Sequence, residues 1–259
     1  MGDAKRIKVG VISASQARDV ILRYHYSGRY VRNSQLNLGV YYAGRLLGAM
    51  QFGPPMDRRA LLGLVRGTKW SGMLELNRMA LSDELPRNSE SRAMAYAFRM
   101  LRKHRPDIEW LVSFSDAAQC GDGAIYRSVG FFLTGAKRNK QIVEFPDGHR
   151  ESRMSLTQAT APMRARTAAR YGIKLGNGCS MQPFLDYGAR YVDGWQLRYI
   201  YFLDPGARAR LTVPVLPYSH IDTIGARMYK GKRLESIVTD AAPDQGEKGG
   251  AIPTSGLHT

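Results

Sequence analysis

LELNRMALSDELPRNSESRAMAYAF, Leu74 to Phe98, reads as a strand, a turn and the start of a helix. In LELNRMAL, Leu74 and Leu76 alternate with Glu75 and Asn77, the period of a strand with one apolar face, and Arg78 follows. SESRAMAYAFRMLRKH is an amphipathic helix with Glu90 in its first turn and Arg102, Lys103 and His104 in its last, the charge order that suits the helix dipole. Many nucleotide-using folds seat a phosphate at such a junction, on the backbone N–H groups of a glycine-rich turn. This turn has no glycine and offers Pro86, Arg87, Asn88, Ser89 and Ser91 instead. Asn88 or Ser89 is the expected helix cap. Serine, asparagine and arginine side chains could also meet an anion there, so Ser91 and Asn88 are candidate donor-binding residues. Close backbone approach to a pyrophosphate, which glycine permits, is what the turn argues against.

Outward from this unit the chain reads as a mixed α/β sheet. KVGVI (Lys8 to Ile12) is an opening or edge strand, and the helix after it is capped at Ser13 and ends at Gly28. Leu36 to Gly53 is a hairpin turning at Ala43-Gly44-Arg45, followed by a loop at Pro54-Pro55. EWLVSFSD, Glu109 to Asp116, is apolar enough for a buried central strand. GDGAIYRSVGFF then supplies a loop, a short helix and a strand opening at Phe131-Phe132. Beyond Thr134 a hairpin turning at Pro146-Asp147-Gly148, a basic helix in MRARTAARYGI, and strands in WQLRYIYFLD and LTVPVLP are expected. The expected organisation is one domain over residues 1–240, with a core half at 1–134 and a β-rich C-terminal half at 135–240. Residues 241–259, rich in glycine and proline without periodicity, read as a disordered tail.

The 259 residues carry 38 Lys+Arg against 22 Asp+Glu, a net charge of +16 spread over both halves. Arginine supplies most of it, and its planar fork suits phosphate and guanine. Aromatics interleave with arginine in YHYSGRYVR and RYVDGWQLRYIYF, the composition of a nucleic-acid surface and equally of a β core with solvated arginines. No apolar run is long enough to cross a membrane and the N-terminus lacks a secretory core, so a cytoplasmic protein is expected. The two cysteines, Cys120 and Cys179, cannot form a disulfide framework or a closed zinc site and read as ordinary thiols.

The element order, the strand–turn–helix at Leu74 to Phe98 and IYRSVGF (Ile125 to Phe131) resemble the GNAT acyltransferase fold: a mixed sheet flanked by helices. The glycine-free turn departs from that pattern and counts against acetyl-coenzyme A. HYSG (His25 to Gly28), GRLLGAMQFG, ELNRMAL, NSESR, SFSD and IYRSVGF, in this order, resemble more closely the phage Mom-type DNA modification proteins, a GNAT-like family. The likeness runs from Arg23 to Phe132 and resumes over Tyr199 to Tyr218. It implies transfer of a carbamoylmethyl group to the exocyclic amine of adenine in phage DNA, shielding that DNA from restriction, inside a phage-infected or prophage-bearing bacterium. It implies site roles for His25, Tyr26, Arg78, Ser91, Asp116 and Tyr126, and iron on Tyr26, Asp116 and Tyr126. The donor is unidentified.

Read as residues, each has a second account. His25 and Tyr26 would finish a helix, Arg78 would form an ion pair with Asp116 or Glu75, Asp116 would serve a turn, and Tyr126 would pack in the core. Asp116 is the foremost catalytic candidate, because ligands of open α/β sheets gather at the carboxyl ends of strands. Two other functions stay open: an acetyl-coenzyme A-dependent N-acetyltransferase of a protein or small amine, and a DNA-binding protein without enzymatic activity.

Overall fold

The computed structural model describes residues 3–158 and 162–234; the expected tail at 241–259 lies outside them. After a 3-10 turn (Asp3–Arg6), β1 (Lys8–Val11) leads into α1 (Ala14–Tyr24). The cap is where the sequence placed it: Ser13 accepts from Gln16 N–H while the Gln16 side chain accepts from Ser13 N–H. The other end differs. The helix stops at Tyr24, His25 is extended (φ −84°, ψ 129°), and Gly28 closes the following turn rather than the helix.

The hairpin β2 (Leu36–Tyr42) and β3 (Arg45–Gly53) turns at Ala43 and Gly44, φ 48° and 78°, a pair of left-handed residues whose twist matches the strands they join. A short α2 (Arg58–Leu62) interrupts the loop after Pro54-Pro55. Then come β4 (Met73–Leu81), α3 (Ser89–His104), β5 (Trp110–Asp116), α4 (Ala124–Ser128) and β6 (Phe132–Asn139). The C-terminal half adds β7 (Ile142–Glu144), β8 (Arg150–Ser152), α5 (Arg153–Thr157), α6 (Pro162–Arg170), α7 (Gln182–Asp186) and β9 (Arg190–Tyr191). It closes with β10 (Gly194–Phe202), α8 (His220–Thr223), β11 (Met228–Tyr229) and β12 (Lys232–Arg233).

One mixed sheet of seven strands, ordered β1-β2-β3-β4-β5-β10-β6, organises the chain, and it is the mixed α/β class that the element order implies. β10 enters between β5 and β6, so the C-terminal half completes the central sheet instead of standing beside it. The rest of that half is less β-rich than expected. A three-stranded sheet β8-β7-β9 shares its own small core with α5–α7 through Val143, Phe145, Leu156, Ala168 and Phe184. LTVPVLP is not a strand. Leu211 makes a single bridge to Val65, and Pro214 and Pro217 have no N–H to carry a ladder further.

α3 packs Ala93, Met94, Ala97, Phe98 and Leu101 against one face of the sheet, on Leu38, Val40, Met50, Leu74 and Leu76. Each such large buried side chain contributes roughly 1.5–3 kcal/mol. α1 covers the other face with Ala17, Val20 and Ile21 on Ala49 and Ala80. Gly39 and Gly48 keep that face flat: a Cβ at Gly39 would stand 2.6 Å from the Ile12 side chain.

Two irregularities of β4 create the site. Its parallel pairing with β5 lasts only from Met73↔Trp110 to Glu75↔Val112; beyond it the strands part, with Ser113 Oγ donating to Leu76 O at the fork. Its register with β3 also slips between Phe52↔Leu76 and Gln51↔Arg78, leaving Asn77 as a bulge. Strict alternation would put Arg78 on the apolar face with Leu74 and Leu76. The bulge turns it to the face shared with Gln51 and α1.

Candidate functional site

The fork between β4 and β5 opens into a cavity of about 360 Å³. His25, Tyr26, Arg78, Asp116 and Tyr126 all line it, five candidates from separate parts of the chain brought together. Arg78 comes from beyond the bulge and Asp116 from the last position of β5. Tyr126 reaches in from α4 on the α3 side, packed against Phe131 and Tyr199 with ring centroids 5.3 Å away. His25 and Tyr26 arrive from the end of α1, their rings stacked at 4.4 Å.

Ser91 and Asn88 are not part of the lining, although Glu90 between them is. Ser91 Oγ lies 3.1 Å from Ser128 Oγ. Asn88 is the cap residue of α3, but it makes no side-chain cap bond. It stands left-handed at φ 70°, the conformation a glycine would supply in this turn and which asparagine tolerates best among the others.

Asp116 forms the turn that the sequence allows it and also faces the cavity. Its carbonyl accepts from Cys120 N–H at 3.0 Å, and Oδ1 accepts from Ala118 N–H at 2.9 Å and from Asn139 Nδ2 at 3.2 Å. Oδ2 accepts nothing among the described residues. Burial pushes its carboxyl above the ordinary range, opposed by those two hydrogen bonds.

Arg78 departs from its expected ion pair. Nε donates to Arg29 O at 3.0 Å and Nη1 to Asn77 O at 2.6 Å, and no carboxylate lies in ion-pair range among the described residues. Two backbone carbonyls thus fix a full positive charge beside the cavity.

His25 is neutral. Burial first, then the Arg78 charge, lowers its pKa to about 4. Ser27 N–H donates to Nδ1 at 3.1 Å, so the ring's own proton belongs on Nε2. Tyr26 is the exposed member, with 53% of its surface accessible, yet its phenol is raised by the surrounding protein mass and by Asp116. Burial raises the phenol of Tyr126 as well.

The iron implied by the resemblance can be tested against this donor set. Tyr26, Asp116 and Tyr126 offer oxygen, the donor hard cations take, and all three line one cavity. Among the described residues no three His, Cys, Asp or Glu side chains gather at metal-binding range, so a cation here depends on the tyrosines. The residues fit in type and place, and a cation would reverse the rise of both phenols.

Three residues in or beside the cavity have surroundings that the sequence reading did not give them. Cys120 lines the cavity as a half-buried thiol, pushed up by burial and by Asp116. Asn139, on β6, braces Asp116. Glu75, the last paired residue before the fork, is raised to about 7 by burial, against the pull of Arg78 and a hydrogen bond from Asn77. A folded protein that holds this proton loses stability as pH rises from the ordinary value of 4.5 through about 7. Glu75→Gln keeps the neutral form, so its advantage over the parent should grow from nothing below pH 4.5 to about 3 kcal/mol above pH 7. Urea unfolding across that range measures it. His25 has the opposite sign: its stabilisation is present above 6.5 and lost as pH falls through about 4. The two slopes offset each other between 4.5 and 6.5, and only the variant exposes the second.

The fold and cavity define a mixed α/β protein with a cavity at the carboxyl end of a splayed parallel strand pair. The chain belongs to the Mom protein family, whose model matches residues 6–220. Over 134 residues it is 41% identical to the methylcarbamoylase mom of Escherichia phage Mu, a match covering 51% of this chain and 55% of that protein. The chain thus spans about half the length of this curated relative. Among solved structures, an N-acetyltransferase from Staphylococcus aureus aligns with TM-score 0.42 and 10% identity over 76% of this chain and 99% of its own. A GNAT family acetyltransferase from Elizabethkingia anophelis with acetyl-CoA bound aligns with TM-score 0.37 and 11% identity, over 76% of this chain and 98% of its own. No helix among the described residues is long and apolar enough to cross a membrane.

Proposed function

We propose that this chain is a DNA-modifying transferase that places a carbamoylmethyl-type group on the exocyclic amine of adenine in phage DNA, protecting it from restriction. The observation that carries the reading is the convergence of Asp116, His25, Tyr26 and Arg78 on one cavity. Membership of a family with a relative named methylcarbamoylase supports the chemistry.

Adenine's amine is a poor nucleophile, because its lone pair is delocalised into the ring. Asp116 takes its proton through the uncommitted Oδ2 as nitrogen bonds to the donor's methylene carbon and the donor's leaving group departs with its electron pair. A carboxyl raised toward neutrality suits that work better than an ordinary aspartate. Arg78, with Nη2 uncommitted among the described residues, offers a fixed cation to an anionic donor or leaving group. His25 presents an Nε2–H donor for orienting the base, and Tyr26 and Tyr126 shape the walls. Ser91 and Asn88 stand at the start of α3 for a longer donor. Bound iron, held by Tyr26, Asp116 and Tyr126, would supply a Lewis-acidic charge. Inside the stack these groups cannot surround the adenine amine, so duplex adenine is extruded to reach the cavity.

Expression in a bacterial host followed by mass spectrometry of total-DNA nucleosides tests this. An adenosine species heavier by one carbamoylmethyl group is expected. Unaltered nucleosides from well-expressed protein that binds acetyl-coenzyme A tightly would replace this reading with the N-acetyltransferase one.

A further inference from the structure

The β11–β12 hairpin lies beyond the residues 6–220 that the family model matches, yet it forms part of the site. Met228, Tyr229 and Lys230 line the cavity. Two backbone bonds clamp the hairpin onto the loop that follows Asp116: Asp122 N–H to Met228 O at 3.1 Å and Gly231 N–H to Cys120 O at 2.7 Å. Its tight turn places Lys230 and Gly231 in the left-handed region, φ 46° and 76°. Lys230 reaches across to Asp83, before α3, at 3.5 Å.

The two strand-end residues divide sharply. Met228 is buried at 6% exposure, whereas Tyr229 is 61% exposed and its ring stacks on no other among the described residues. That ring is open to a ligand entering the cavity. On the hairpin's other side is a second cleft, lined by Arg150, Arg190 and Arg233 with Glu144, Asp193 and Met228. Glu144 binds two of those arginines, Arg150 at 2.7 Å and Arg190 at 2.9 Å, and Arg233 donates to Asp193 O. Arg190 nevertheless keeps 79% of its side chain exposed, and Lys230 and Lys232 add charge on the hairpin itself. An exposed ring with cations on both flanks matches a nucleic-acid strand, whose bases stack and whose phosphates need charge. A protein partner would call for an apolar surround that these residues do not make.

Taking DNA as the substrate, we propose that the β11–β12 hairpin is a base-capturing wedge. Tyr229 stacks on the extruded base at the cavity mouth, and Arg190 and Arg233 across the hairpin hold phosphates of the same strand.

The test uses the full chain and a labelled duplex carrying 2-aminopurine at one adenine position, read by anisotropy for affinity and by 2-aminopurine fluorescence for unstacking. Tyr229→Ala should weaken binding roughly 5- to 100-fold and reduce the unstacking signal, while Tyr229→Phe preserves both. Because the ring is exposed, the thermal midpoint should not move. Arg190→Ala with Arg233→Ala should lower the salt slope of binding by about two, whatever the sequence. Tyr229→Ala that binds and unstacks like the parent, in a protein that does bind DNA, would overturn the wedge alone. A parent chain with no affinity for the duplex would overturn the wedge together with the DNA reading on which it rests.

Discussion

Asp116→Asn is expected to lower adenine modification by about 100-fold or more while leaving the protein folded. The choice of asparagine separates two roles that alanine would confound. Asp116 Oδ1 accepts from Ala118 N–H and from Asn139, and these bonds shape the turn after β5. An asparagine side-chain oxygen can accept the same pair, since asparagine makes the same local turn as aspartate. What asparagine cannot do is take a proton through the second carboxylate oxygen. The variant should therefore unfold within a few degrees of the parent and bind duplex DNA as well, yet leave the nucleosides of a host genome unmodified. A pH profile gives a further check. In the parent, modification should rise with pH as the Asp116 carboxyl, pushed above its ordinary range by burial, loses its proton. Full activity in Asp116→Asn would make this residue a turn-former, and the general-base role would have to move to another group facing the cavity.

The extent to which such a site could be read in advance varies with the kind of interaction involved. Local signals were sound. Ser13 announces a cap because its partner lies within one turn, and Ala43-Gly44 announce a hairpin because the twist demands left-handed residues there. Asp116 was legible for a similar reason: a polar residue ending an apolar run marks a strand's carboxyl end. Arg78 was half legible. Its presence in an apolar strand required a partner, but the partners are backbone carbonyls of Arg29 and Asn77, delivered by a bulge that no alternation of side chains records. Asn88 was named for its side chain, whereas the structure uses its tolerance of a left-handed backbone. LTVPVLP shows propensity overruled by Pro214 and Pro217. Tyr229 was silent, and Glu75 and Cys120 were read only as an ion-pair partner and an ordinary thiol, because a fork between strands and a hairpin folding back from far along the chain exist only in three dimensions.

The second large effect concerns the wall of the cavity. Gly123→Ala is expected to destabilise the protein by about 2–5 kcal/mol, from backbone strain of about 1–2 kcal/mol and overpacking of about 1–3 kcal/mol. Gly123 stands at φ 82°, and a Cβ there would lie 2.5 Å from the Tyr199 ring. That ring has nowhere to go. Tyr199 is fully buried in the middle of β10, its hydroxyl donates to Asp122 O, and Arg127 closes the arrangement by pairing with Asp122 at 3.0 Å. Shifting it would disturb the strand that bridges β5 and β6; shifting Gly123 would displace the Cys120–Asp122 loop and the hairpin clamped to it. A calorimetric scan should show a midpoint lower by on the order of 10 °C, at the 2–4 °C per kcal/mol typical of chains this size. Tyr199→Phe separates brace from bulk. It keeps the ring but deletes the bond to Asp122 O, which still accepts from Arg127 Nη1 at 2.9 Å, so the loss should cost about 0.5–1.5 kcal/mol. Combined in one chain, the two changes should destabilise by less than their sum, because the ring that Gly123→Ala crowds is no longer tied down. Full additivity would mean that the loop, not the ring, yields to the new methyl group, and that the cavity wall is softer than its hydrogen bonds imply.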